Sequence, residues 1–194
     1  MNKDTRNIRQ VRSVPTEFKT RKDGEDLSIE GYFAVFNSVY DIAPGMSESI
    51  DPEAFKNTLS GDVRALINHD TTLVLGRTKA GTLELRTDSH GLWGHIDINP
   101  NDTDAMNLYS RVQRGDVNQC SFGFDILSEE TDLREDGSVH WTIKEVELYE
   151  VSPCTFPAYK ETNISARQEQ RNDLIKRQRE AWKAKMKERT SKWH

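Results

Sequence analysis

The sequence predicts a mainly β domain with surrounding short helices over 27–160, preceded by a partly flexible segment at 1–26 and followed by a basic helical or disordered tail at 161–194. Three observations carry that division. Short apolar runs with two-residue alternation recur along the body, each bounded by turn residues. Helical patterning in the body is confined to an entry signal at Asp51 and one stretch over 102–113. Beyond Tyr159 the composition changes, and Ala166–Lys192 contains neither glycine nor proline.

Val11 and Val14 mark a first strand after the polar Met1–Arg9 end. Leu27–Phe36 alternates as a strand, and Asn37–Gly45 reads as turn-rich, with Asp41 and Pro44-Gly45 as breakers. Asp51 can cap a helix, Pro52 suits its first position and Glu53 complements its dipole, so a short helix is expected over Ala54–Leu59. Val63–Asn68 is apolar enough for a buried strand. Leu73–Arg77 and Thr82–Thr87 follow as a hairpin around Lys79-Ala80-Gly81. Leu92–Ile98 alternates cleanly. Asp102–Gln113 spaces Ala105, Met106, Leu108, Tyr109 and Val112 as one helix face, with Gly115 as the stop. Asn118–Leu127 and Val139–Ser152 complete the strands around a charged loop at Ser128–Ser138. In the tail, Leu174, Ile175, Ala181, Trp182 and Met186 form only a thin apolar stripe, so it is not expected to join the core.

Hydrophobic residues make up 35% of the chain and charged residues 30%, which also places part of it outside a core. The net charge of −5 is uneven: from Ser165 to His194 ten Lys/Arg face four Asp/Glu, leaving about −11 on the rest. A body that acidic disfavours nucleic acid as the partner. Cys120 and Cys154 have neither a disulfide framework nor zinc-ligand spacing. No run is long and apolar enough for a membrane, and the chain reads as an intracellular soluble protein.

Two segments carry candidate chemistry. His69 follows the apolar run Ala65-Leu66-Ile67 between Asn68 and Asp70, and Ser121 lies between Cys120 and Phe122-Gly123-Phe124. A serine hydroxyl becomes a useful nucleophile when a base lies within hydrogen-bond reach, and histidine is the usual base near neutral pH. Each residue also has a plain structural reading: His69 as a hydrogen-bonder at a strand end, Ser121 as a strand residue beside a bulge at Gly123. No G-x-S-x-G elbow is present, which disfavours an α/β-hydrolase. Cys120 is potentially nucleophilic, but neighbours on a strand face opposite ways, so only one of the pair can address His69. His90 and His95, five residues apart, fall on opposite faces of an extended strand, so no metal site is expected with Asp97.

The order of segments is more specific than the pair. G-Y-F-A-V-F-N (31–37), E-S-I-D-P-E-A-F (48–55), A-L-I-N-H-D (65–70) and V-L-G-R-T-K-A-G-T-L (74–83) precede D-S-H-G-L (88–92), R-V-Q-R-G-D-V-N-Q-C-S-F-G-F (111–124) and E-L-Y-E-V-S-P-C-T-F-P-A-Y (147–159). Over about 27–160 this series closely resembles the prohead (capsid maturation) serine proteases of tailed bacteriophages, relatives of the herpesvirus assemblin proteases. The resemblance implies an assemblin-like antiparallel β-barrel and a serine endopeptidase without a cofactor. It puts His69 on the catalytic histidine and Ser121 on the nucleophile. It also implies an acidic third member, with Glu150 first and Glu147 second. Strand parity adds that Val146, Leu148, Glu150 and Ser152 share one face while Glu145, Glu147 and Tyr149 share the other. A salt bridge from Glu150 to an arginine such as Arg77 stands as the structural alternative. The implied substrates are the scaffolding segment of the major capsid protein and the enzyme itself, inside the assembling prohead in the host cytoplasm. Docking to portal or scaffold through the basic tail, and homodimerisation, belong to the same expectation. The rival reading is a non-catalytic capsid assembly or scaffolding protein that keeps the fold.

Overall fold

A computed structural model describes residues 10–23, 26–156 and 161–191. Eleven strands run in chain order as β1 (Gln10–Pro15), β2 (Lys19–Asp23), β3 (Asp26–Val35), β4 (Tyr40–Ala43), β5 (Met46–Ile50), β6 (Arg64–Ile67), β7 (Asp70–Arg77), β8 (Leu83–Thr87), β9 (Gly91–Ile98), β10 (Gln119–Leu133) and β11 (Val139–Cys154), with helices α1 (Thr103–Arg114) and α2 (Glu161–Ser191). They form two sheets among the described residues. One has four strands in the order β2-β3-β9-β8; the other follows β1-β10-β11-β5-β4, with β6 on β11 and β7 on β6. Apolar residues from both sheets and from α1 meet in one core around Phe33, Phe55, Phe122 and Phe124.

The expected barrel is not closed. The hydrogen-bonded paths end at β1 and β4 in the larger sheet and at β2 and β8 in the smaller. The Thr82–Thr87 hairpin expectation fails for a related reason. The turn at Thr78–Ala80 forms, with Gly81 at φ +73°, but β7 pairs with β6 while β8 pairs with β9. It passes the chain from one sheet to the other.

The helix expected over Ala54–Leu59 is instead a run of turns. Its amides bond three residues back, as Lys56 N–H to the Glu53 carbonyl and Thr58 N–H to the Phe55 carbonyl (3.0 and 3.1 Å). The neighbouring strand explains this. β11 lies parallel to β5 over 139–143 and to β6 at 150–151, and between them, among the described residues, it has no strand partner on that side. Val146 N–H donates to the Ala54 carbonyl (3.1 Å) and Leu148 N–H to Thr58 Oγ1 (2.8 Å), so the turns satisfy the β11 amides that lack a strand there.

Three further expectations change. Asn37–Gly45 contains β4 and leads directly into β5, because Ile42 and Met46 pack with Val139 and Trp141 in a second apolar cluster. The charged loop shrinks to 134–138, since β10 runs on through Leu133 and pairs with β11 as far as Val139. The tail also reaches the body: Ile164 and Leu174 of α2 pack on the second cluster, and Arg167 is buried over the Trp141 ring (4.6 Å to its centroid). Farther along, residues 176–188 of α2 are exposed. The Met1–Arg9 end lies outside the described residues.

The remaining elements follow their sequence signals. Asp102 accepts from Asp104 N–H and Ala105 N–H as the cap of α1, and Gly115 at φ +87° ends it. β1 adds to the edge of β10 with Ser13 opposite Ser121.

Candidate active site

The site is built where β10, β11 and the β6–β7 turn converge. On the paired strands Ser121 stands opposite Ser152 and Gly123 opposite Glu150, so these four positions share one face. Asn68 and His69 form the two-residue turn between β6 and β7, both left-handed at φ +50° and +63°. That conformation costs a non-glycine residue about 1 kcal/mol or more. Three tethers to β11 and the segment after it offset the cost. Asn68 N–H donates to the Pro153 carbonyl (3.1 Å), Thr155 N–H donates to Asn68 Oδ1 (2.9 Å), and His69 N–H donates to Ser152 Oγ (3.2 Å). At about 1 kcal/mol each, such bonds are enough to hold the turn. Asp70 turns away, accepting from Thr72.

His69 and Glu150 are in contact, with 2.7 Å between Nδ1 and Oε1. Glu150 is only 5% exposed, and a buried carboxylate without partners would cost several kcal/mol. Both of its oxygens take a donor: Oε1 from His69 Nδ1–H, and Oε2 from the Ser152 hydroxyl (2.6 Å). An ionised carboxylate only accepts, so the contact with Glu150 calls for a proton on Nδ1, and a neutral ring so arranged carries its lone pair on Nε2. Nε2 is itself buried and has no hydrogen-bond partner among the described residues. A neutral imidazole in this tautomer can take a proton at Nε2 while Glu150 stabilises the resulting charge.

Ser121 is 0% exposed, and its hydroxyl donates to the Arg12 carbonyl of β1 (2.8 Å) instead of to His69. The Arg12 side chain is buried against Glu48, which also accepts from Arg167 of α2 (2.8 Å); Arg167 in turn reaches Glu129 (2.7 Å). Burial pushes the Glu48 carboxyl up, but the two guanidiniums outweigh it and hold the group below its ordinary value.

A sequence model described as caudovirus prohead serine protease matches residues 16–177. The chain belongs to that family. The prohead protease of Enterobacteria phage HK97 is 32% identical over 155 residues, covering 78% of this chain. The chain spans 64% of that relative's length. The structure of the bacteriophage T4 capsid assembly protease, gp21, superposes with a TM-score of 0.50 at 8% identity, covering 75% of this chain and 96% of that one. That likeness is one of fold.

In this family member Glu147 lies apart from His69, exposed and in register with Asp125. Arg77 makes a two-pronged ion pair with Asp62 (2.6 Å for both contacts), whose carboxyl is lowered to about 2 chiefly by that bond. It therefore does not serve Glu150. Cys120 faces away from Ser121 and donates to the Tyr32 carbonyl (3.0 Å). Burial, with the Glu150 charge added, pushes the Cys154 thiol up to about 11. His95 lies between Glu30 and Asp97, while the His90 ring packs edge-on against Tyr32. Sequence reasoning placed Ser152 on the Glu150 face but did not single it out; its two-residue spacing from the glutamate was the available signal.

Proposed function

We propose that this chain is a serine endopeptidase that cleaves scaffolding regions of the capsid protein, and itself, during phage prohead maturation in the host cytoplasm. The observation that carries the reading is the buried Nε2 of His69, without a hydrogen-bond partner among the described residues, with Nδ1 on Glu150, beside the strand face that bears Ser121. Family membership supplies the reaction class.

In the proposed reaction, Nε2 removes the Ser121 proton as Oγ bonds to the substrate's carbonyl carbon. Glu150 holds the imidazolium, which returns the proton to the leaving amine as the C–N bond breaks. Water then repeats the sequence on the acyl-enzyme and regenerates Ser121. These steps draw on no cofactor. They require the Ser121 hydroxyl to leave the Arg12 carbonyl, since it cannot donate to both acceptors at once. The basic, exposed part of α2 fits the role of a docking tail toward an acidic portal or scaffold surface, and homodimerisation belongs to the same reading.

A non-catalytic assembly protein is the second reading. One observation favours it: Ser121 is fully buried and bonded to β1. Co-expression with the cognate capsid protein separates the two. Processing by the parent chain that disappears in both Ser121→Ala and His69→Ala supports the protease; processing unchanged in either variant rules out the proposed dyad.

A further inference from the structure

We propose that Ser152 is a positioning residue that sets His69 from two sides at once. This rests on the reading of His69 as the base, and it adds a residue to that site.

The hydroxyl of Ser152 uses both of its capacities. As a donor it bonds Glu150 Oε2 (2.6 Å), and as an acceptor it takes the backbone N–H of His69 (3.2 Å). The first bond fixes the rotation of the carboxylate, so that Oε1 stays aimed at Nδ1. The second pins the left-handed residue that carries the ring. Few other groups could do both: an alanine offers neither function, and a thiol offers each only weakly. Ser152 is 0% exposed, so water cannot take over either bond without a rearrangement. The position is also forced by the strand pairing. Ser152 lies two residues after Glu150 on the same face, directly opposite Ser121, so one short side chain reaches both supports of the imidazole.

Loss of the hydroxyl leaves one carboxylate oxygen and one backbone amide without partners, and both Glu150 and the turn are then free to shift. A displacement of the ring by a fraction of an ångström lowers turnover without touching substrate contacts. The expected signature is a fall in kcat of about ten- to a hundredfold with KM unchanged.

The test combines kinetics with a readout that needs no activity. Ser152→Ala and the near-isosteric Ser152→Cys are compared with the parent in capsid-protein cleavage. Each is also made in a Ser121→Ala background, where proton NMR follows the low-field His69 Nδ1–H resonance. Both substitutions should lower kcat at constant KM, and both should shift or broaden that resonance. Folded variants that keep the parent kcat and the parent resonance would overturn the proposal, as would a loss confined to KM. If Ser121→Ala cleaves normally, the protease reading has failed. The resonance then still decides whether Ser152 holds the imidazole.

Discussion

Gly123 faces Glu150 across β10 and β11, and the absence of a side chain there makes room for the carboxylate. A Cβ built on Gly123 would overlap Glu150 Oε1 and crowd its Cδ at 3.2 Å. The obstacle is not a flexible surface group, because Glu150 is held by His69 and Ser152. Gly123→Ala should therefore push Glu150 off His69, cutting cleavage at least tenfold while costing about 1–3 kcal/mol of stability. Circular dichroism and a cleavage assay on the same sample check both halves. Full activity in this variant would mean that Glu150 is not needed where it stands.

The buried cluster of Arg12, Glu48 and Arg167 links the first strand to the final helix. Removing its central carboxylate in Glu48→Gln takes the charge partner from buried Arg12 and leaves Arg167 with Glu129 alone, which should cost about 3–5 kcal/mol in urea unfolding. The same group makes stability depend on pH. Its folded value lies below the ordinary 4.5, so its contribution is complete above that pH and is lost as pH falls through the depressed folded value. Between neutral pH and about pH 3 the parent should lose more stability than Glu48→Gln does, measured as the change in urea midpoint.

Cys120 and Cys154 are both buried. The reactive species of a thiol is its thiolate, and Cys154 is held up at about 11. Neither cysteine should react with iodoacetamide in the native protein at neutral pH, and both should react in denaturant. Mass spectrometry after each treatment gives the count. Fast native labelling of Cys120 would contradict its place on the core side of β10.

Part of the candidate site's geometry, the side of β11 that bears Glu150, was legible in the sequence, and the contact of Ser121 with the Arg12 carbonyl was not. Parity along 145–152 separates Glu150 from Glu147, and burial follows it, because a strand's side chains must alternate. Helix α1 was legible from its cap, its apolar face and Gly115. What escaped were features created by distant partners. Asn68-His69 became a two-residue turn only because β11 supplies tethers for a left-handed pair. The turns over 52–60 stand in place of a helix where β11, on its β5–β6 edge, has no strand beside 146–148 among the described residues. Arg167 became buried because Glu48, far away in sequence, lies between it and Arg12. None of these has a local signal, since each depends on which strand edge meets which segment.

The central claim is that Glu150, through His69, serves Ser121 in peptide cleavage. The rate of capsid-protein processing by Glu150→Gln, set beside that of Glu147→Gln, tests it most directly. A loss of about ten-thousandfold for Glu150→Gln, with Glu147→Gln within twofold of the parent, is the expected result. Equal rates for the two variants, or a greater loss in Glu147→Gln, would contradict it.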